Sequence, residues 1–229
     1  MTPIDILIPV YDEGSYIKET IDSIINTISY DYNINIIYDK EDDSTISIIN
    51  NHYKKNNIKF IKNNKTGAHN AILTGFNKTS SDAVIVFMAD DYYNAKCLNL
   101  MIEHFLTGSD IVVASRFLKK SKIKNIKFIK KYITRIGSFV SHYLFGIAVT
   151  DSTFAFRLFS RKVLDNYNIQ SKNGFSYGTE LLVKAQIDKL KITELAADWI
   201  DYDHKKSRFR LFSWFPSYGY WIIYYFLKK

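Results

Sequence analysis

The stretch VIVFMADDYYN, residues 84–94, runs from an unbroken apolar segment into two adjacent aspartates. Val84 to Met88 reads as a buried strand. Carboxylates where a strand leaves the core are costly unless something pairs with them. Asp90 and Asp91 therefore open two readings. Hard oxygen ligands at a strand end suit a divalent cation that bridges two phosphates. Equally, Asp is favoured in turns and at helix N-caps. The elements on either side decide between them.

Working outward, short apolar runs alternate with helical patterns. IDILIPV (4–10) is a strand candidate, followed by Ile17, Ile21, Ile24, Ile25 and Ile28 at helical spacing. INIIYD gives a second strand, Ser44 to Tyr53 a helix, and IKFIK a third strand. Gly67 opens a helix through Ala71, Ile72 and Gly75. After AVIVFM come a helix from Leu98 to Leu106 and a fifth strand, DIVVAS. This alternation predicts βαβ units and a mostly parallel sheet. Ligands bind such sheets at the carboxyl ends of the strands, where Tyr11 to Glu13, Asp39, Asp90, Asp91 and Arg116 all fall. Asp39 stands directly at its strand end, within an acidic turn that needs no function of its own. Gly67 allows a close approach of backbone to ligand at a helix start. Its loop lacks both the Gly-Lys-Ser/Thr ending of a P-loop and a three-glycine dinucleotide fingerprint.

Composition narrows the classes. A chain of 229 residues, 47% hydrophobic, can build one sizeable core, and no repeat or linker divides it. A single cysteine, Cys97, excludes an internal disulfide and a multi-cysteine zinc site, which points to a reducing compartment. No secretory signal is evident at the start. The net charge is +8. No acid occurs between Asp110 and Asp151, an interval that carries Arg116, Lys119, Lys120, Lys122, Lys124, Lys127, Lys130, Lys131 and Arg135. Such a local field attracts an anionic partner. Ile123, Ile126, Ile133, Ile136, Val140 and Leu144 recur among these lysines, predicting a long basic amphipathic helix from about Lys119 to Leu144. A helix from about Tyr177 to Leu190 and a strand ITELAADWI follow. The tail RFRLFSWFPSYGYWIIYYFLKK is dense in aromatic residues and broken by Pro216 and Gly219, so it is a poor membrane span.

Taken in order, ILIPVYDEG, IIYDKEDDST, KTGAHNAILTGF, VFMADDYYNAKCL, VVASRF, TRIGSFVSHYLFGIAVTDSTFAFRLFSRKVL, FSYGTELLVKA and DHKKSRFRL resemble the GT-A, family-2 inverting glycosyltransferases. Within them the chain is most similar to the dolichol- or polyprenol-phosphate sugar transferases. The resemblance implies a Rossmann-like GT-A domain over 1–210; the aromatic residues beyond it read as a membrane-interface tail over 211–229. It implies transfer of a hexosyl group from GDP-mannose or a UDP-hexose to a polyprenol phosphate. Pro9, Tyr11, Glu13, Asp39, Gly67 and Asp90 would hold the nucleotide, and Asp91 with Asp90 would hold Mg²⁺ or Mn²⁺. Arg116, Lys130, Lys131, Thr134 and Arg135 would grip the acceptor phosphate. The chain departs from the family pattern at Ala89, which stands where the first metal-motif aspartate is usual, and at Asp12, where Asn is usual.

A phosphate monoester is largely dianionic near neutral pH, so it needs cations to position it more than a base to activate it. The alternative is a family-2 enzyme that elongates a surface polysaccharide on a sugar hydroxyl. That reaction needs a carboxylate base, for which Asp151 is the first candidate. A nucleic-acid-binding surface is a third reading, but no recognised module appears, and the acidic strand ends would repel phosphates. The expected setting is peripheral, on the cytoplasmic face of an anionic membrane. Trp214, Trp221 and the tail tyrosines, flanked by Lys205, Lys206, Arg208 and Arg210, suit the headgroup level. A membrane-spanning partner subunit is compatible with this setting. A buried aromatic helix is the plainer reading of the tail.

Overall fold

The computed structural model describes residues 2–54, 57–201 and 211–229, with the side chains of 211–215 excepted. IDILIPV forms β1 (Ile4–Val10), buried at all seven positions. The reason is its place: β2 (Tyr32–Tyr38) lies on one side of it and β4 (Ala83–Val86) on the other, both parallel. Its side chains alternate between two cores. Ile4, Ile6, Ile8 and Val10 pack with Ile17, Ile21 and Ile24 of α1 (Ile17–Thr27) and with α4 (Leu98–Leu106). Leu7 packs on the other face with α3 (Ala68–Lys78) and α7 (Ser176–Ile187). There α3 comes so close that a Cβ on Gly75 would lie 2.6 Å from Leu7 Cδ1.

The sheet has seven strands in the order β3-β2-β1-β4-β7-β5-β8. β3 (Ile58–Lys62), β5 (Ile111–Ser115) and β8 (Ile192–Ala196) complete its parallel members. The exception is β7 (Arg157–Ser160), which runs antiparallel between β4 and β5. Four residues buried on both sides, RLFS, show no alternation that would mark them as a strand in the sequence. Because β7 runs the opposite way, the residues that precede it, Thr153 to Ala155, sit at the carboxyl edge of its neighbours.

The basic interval is organised differently from the single long helix expected. Ile123–Lys124 form a short strand, β6, parallel to β9 (Trp199–Ile200). The Trp199 and Asp201 N–H groups donate to Lys122 O (2.8 Å) and Lys124 O (3.1 Å), and Lys122 N–H donates to Asp198 Oδ1 (2.8 Å). A partner distant in sequence thus takes the backbone bonds that a helix would need. The helix, α5, begins only at Phe128, runs to Phe139, and continues as one π-helical turn, Val140–Leu144. Its polarity is inverted: Thr134, Ser138 and Ser141 are buried, while Phe128, Ile129, Tyr132, Ile136, Phe139, Tyr143 and Leu144 are exposed.

The tail forms α8 (Leu211–Lys228), with Pro216 in its first half. Tyr218, Trp221 and Tyr225 are buried, the last two in the core shared with α7. Trp221 Nε1 donates to Ser171 Oγ (2.8 Å), and Gln186 Nε2 donates to Tyr225 Oη (2.7 Å) and to Gly146 O (2.8 Å). On this face α8 is part of the globule. Its opposite face exposes Tyr220, Ile223, Phe226 and Leu227. Phe226 meets Phe145 edge-on at 5.7 Å, which joins this face to the end of the π turn. Among the described residues, no helix is long and apolar enough to cross a membrane. The segment DHKKSRFR (203–210), with Lys205, Lys206, Arg208 and Arg210, and the Trp214 side chain lie outside the described residues.

Candidate active site

A cavity of about 610 Å³ opens at the carboxyl edge of β1, β2, β4 and β5. Its walls bring together ten of the residues singled out in the sequence. The end of β1 contributes Pro9, Tyr11 and Glu13; β2 contributes Asp39; the start of α3 contributes Gly67. Asp90 and Asp91 follow β4, Arg116 follows β5, and Lys130 and Thr134 come from α5.

The loop after β1 is shaped by Asp43, the N-cap of α2 (Ser44–His52). Asp43 accepts from Thr45 N–H through Oδ1 (2.9 Å) and from Asp12 N–H through Oδ2 (3.0 Å). Glu13 N–H donates to Thr45 Oγ1 (2.9 Å). This hold keeps Asp12 at φ 53°, a left-handed conformation that Asn and Asp tolerate better than most residues. Of the acidic turn EDDS, Asp43 is therefore structural. Asp39 accepts from Asn63 Nδ2 (2.7 Å) and from Gly67 N–H (2.8 Å). Gly67 sits at φ 97°, ψ 153°, a region open in practice only to glycine. Asp39 thus ties the end of β2 to the start of α3 across the cavity wall.

The paired aspartates are held from both directions. Thr20 Oγ1 donates to Ala89 O (2.7 Å) and fixes the turn after β4. Tyr93 Oη donates to Asp91 Oδ1 (2.9 Å) and lies 3.4 Å from the Ile200 N–H of β9. Burial and the neighbouring Asp91 charge push the Tyr93 phenol above its ordinary pKa, so it stays a donor. Asn94 is tied to Asp198 by reciprocal bonds of 3.1 and 2.9 Å, which lock β9 to the turn after the aspartates. Two carboxylates on an open cavity suit Mg²⁺ or Mn²⁺, which keep much of their coordination for water and phosphate oxygens. Among the described residues, no cluster of three or more His, Cys, Asp or Glu side chains could form a complete protein cage.

Opposite stands a cationic wall. Arg116 donates through Nε to Asp151 Oδ2 (2.7 Å) and through Nη2 to Asp151 Oδ1 (3.0 Å). The Arg116 N–H also donates to Asp151 Oδ2 (3.1 Å), and Nη2 reaches Thr153 Oγ1 (2.8 Å). The guanidinium carbon is 4.7 Å from the Phe154 ring centroid and 4.5 Å from that of Trp199. Asp151 is fully buried and lies behind Arg116 instead of lining the cavity. Burial raises its pKa, but the Arg116 charge and its hydrogen bonds outweigh that and hold the carboxyl below the usual range. In this arrangement Asp151 anchors Arg116. Lys131 and Arg135, expected beside Lys130, do not line the cavity, and Arg135 is exposed. The helix turns Lys130 and Thr134, four residues apart, to one side and Arg135 away.

Tyr93, Phe154, Phe175, Trp199 and Asp201 also line the cavity and were not singled out in the sequence. Only Tyr93, two residues beyond Asp91, carried a local signal. A second groove, of about 770 Å³, lies beside β1–β3. Its buried carboxylate, Asp5, accepts from Asn33, Asn35 and Ser81 and ties strands together.

The family model described as glycosyl transferase family 2 matches residues 5–167. A dolichol-phosphate mannosyltransferase from Pyrococcus furiosus is 26% identical over 191 residues, 82% of this chain and 54% of that protein. A UDP-N-acetylglucosamine–dolichyl-phosphate N-acetylglucosaminyltransferase from Methanococcus voltae is 30% identical over 225 residues, 89% of this chain and 88% of that one. The chain spans about half the length of several curated relatives it matches. Among solved structures, glucosyl-3-phosphoglycerate synthase from Mycobacterium tuberculosis superposes with a TM-score of 0.70 at 15% identity. The match covers 98% of this chain and 79% of that one, which was solved with Mn²⁺, UDP-glucose and phosphoglyceric acid. The shared architecture is the GT-A fold. On its match to the family model over most of its length, the chain belongs to glycosyl transferase family 2.

Proposed function

We propose that this glycosyltransferase moves a hexosyl group from a nucleotide-sugar to a polyprenol phosphate, with inversion. The observation that carries the reading is the state of Asp151. Asp151, the first candidate for the base that a sugar hydroxyl would need, is buried and committed to Arg116. On the same side the cavity offers the charges of Arg116 and Lys130, beside Thr134, whose hydroxyl donates to Lys130 O (2.8 Å); two cations suit a phosphate monoester that needs no deprotonation. The names of the Pyrococcus and Methanococcus relatives favour the same acceptor class.

In this reading Tyr11, Glu13 and Asp39 bind the nucleoside, and Gly67 lets the backbone approach it. Asp91 and Asp90 would hold Mg²⁺ or Mn²⁺, which when bound neutralises charge on the departing nucleoside diphosphate. Arg116 and Lys130 orient the acceptor, and Thr134 holds the helix turn that carries Lys130. One of its phosphate oxygens forms a bond to the anomeric carbon as the bond from that carbon to the diphosphate oxygen breaks. The bonding pair leaves with the nucleoside diphosphate, and no proton moves. The acceptor, a dianion, becomes a phosphodiester with one negative charge.

The exposed apolar faces of α5 and α8 support a peripheral membrane setting. Phe128, Ile129 and Leu227 are 71%, 70% and 75% exposed, beside lysines that would attract anionic headgroups. The test is a panel of labelled nucleotide-sugars offered with a short polyprenol phosphate, followed by solvent extraction. Label in the organic phase from one donor is the expected result. Label that passes only to a sugar hydroxyl would overturn the reading.

A further inference from the structure

The two cations on the acceptor side differ in how they are held. Arg116 is fixed by a two-pronged, buried contact with Asp151 and by two aromatic rings. Lys130 Nζ lies 3.4 Å from Asp201 Oδ2 and 5.7 Å from the Trp199 ring centroid. Both partners of this pair are only partly buried, with side chains 24% and 28% exposed. Asp201 is nonetheless well placed. It follows β9 directly, its N–H is bonded to Lys124 O (3.1 Å), and it lines the same cavity as Lys130. A carboxylate lining the cavity therefore already pairs with the cation that a phosphate would use.

Resting on the phosphate-acceptor reading, we infer that Asp201 is a resident competitor for Lys130, which the acceptor displaces and which reclaims the lysine after transfer. The charge change in the reaction gives the cycle its direction. A dianionic monoester attracts Lys130 more strongly than a single carboxylate does. The phosphodiester product carries one charge and has no such advantage over Asp201, which is already in place. Asp201 thereby weakens phosphate binding overall and favours release of the product. It touches no reacting atom, and its role is to set where the Lys130 ammonium points.

The pair is partly exposed, so its strength is modest, and the expected effect is a two- to fivefold change in affinity. The experiment is calorimetry of farnesyl phosphate, in parallel with inorganic phosphate, on the full chain with nucleoside diphosphate and Mn²⁺ present. Asp201→Asn should tighten binding of the farnesyl ester two- to fivefold, with the gain mostly lost in a Lys130→Met background. It should also strengthen inhibition by the phosphodiester product. A merely structural role would loosen binding instead. Unchanged or weaker binding in both Asp201→Asn and Asp201→Ser would overturn the inference, as would equal tightening with and without Lys130. Tightening seen for inorganic phosphate and not for the lipid ester would assign the site to free phosphate and overturn the cycle. If binding tightens as expected but no polyprenol phosphate accepts sugar, the functional reading alone fails.

Discussion

Asp151→Asn separates an anchor from a base. In the folded protein the Asp151 carboxylate receives three bonds from Arg116, at 2.7, 3.0 and 3.1 Å, and is fully buried. Asn keeps the shape but replaces one acceptor oxygen with a donor, which must then face a guanidinium N–H. Arg116, itself 8% exposed, is left as a nearly buried charge without its counter-ion. Breaking one side of such a pair costs about 3–5 kcal/mol. Urea unfolding should show that loss at pH 7. The acid limb fixes the sign. The folded pKa of Asp151 is depressed, so its contribution is complete above the unfolded value of about 3.9 and fades as pH falls through the lower folded value. The gap between wild type and variant should therefore be constant from pH 7 to about 5 and shrink only below about 4. Nucleotide affinity should be nearly unchanged, because the donor residues lie on other strands. A variant that keeps its stability within about 1 kcal/mol but loses turnover with a shifted pH–rate profile would refute the anchor and restore Asp151 as a base.

Asp91→Ala should weaken Mn²⁺-dependent binding of GDP or UDP by about tenfold to a hundredfold, the loss of a charged ligand. Asp90→Ala should weaken it less in the same calorimetric series; the reverse order would shift the metal assignment by one residue. Glutamate at both Ile129 and Phe139, exposed on α5, should cut the salt-resistant share of sedimentation with anionic vesicles about tenfold. Retention equal to wild type would remove α5 from the membrane reading. Cys97 is buried, and burial pushes its thiol up to about 11. Iodoacetamide at pH 8 should leave it unmodified until urea unfolds the chain, and rapid native labelling would contradict its packing.

The parallel strands and the side of the cavity proposed for the donor were legible because each strand there ends in its own polar signal. Pro9 to Glu13, Asp39, Gly67, Asp90 and Asp91 needed only the rule that parallel strands collect their carboxyl ends at one edge. The acceptor side was harder to read. Trp199 and Asp201 reach the cavity through the pairing of β6 with β9, two residues from each of two segments some 75 positions apart, and such short ladders leave no periodicity. The same pairing removed the first turns of the expected basic helix. Arg135 and Lys130 are equally basic in the sequence, and only the rotation of α5 separates them. The tail could be read as an interface helix or as a buried one, and α8 combines both, because one face is closed by Trp221 and Tyr225 and the other is left apolar.

The bonds from α8 to Ser171 and Gln186 have a geometric consequence. Gln186 also receives Ala148 N–H (2.8 Å) and reaches Gly146 O, just past the π turn that ends α5. The two apolar faces are thus riveted to one girder, α7, whose N-cap residue Phe175 lines the cavity. If those faces rest on lipid, as proposed, they do so together with that wall of the cavity as one piece. In that setting the protein would act as a fixed gauge: it would meet an acceptor phosphate at one elevation, whatever the length of the chain beneath.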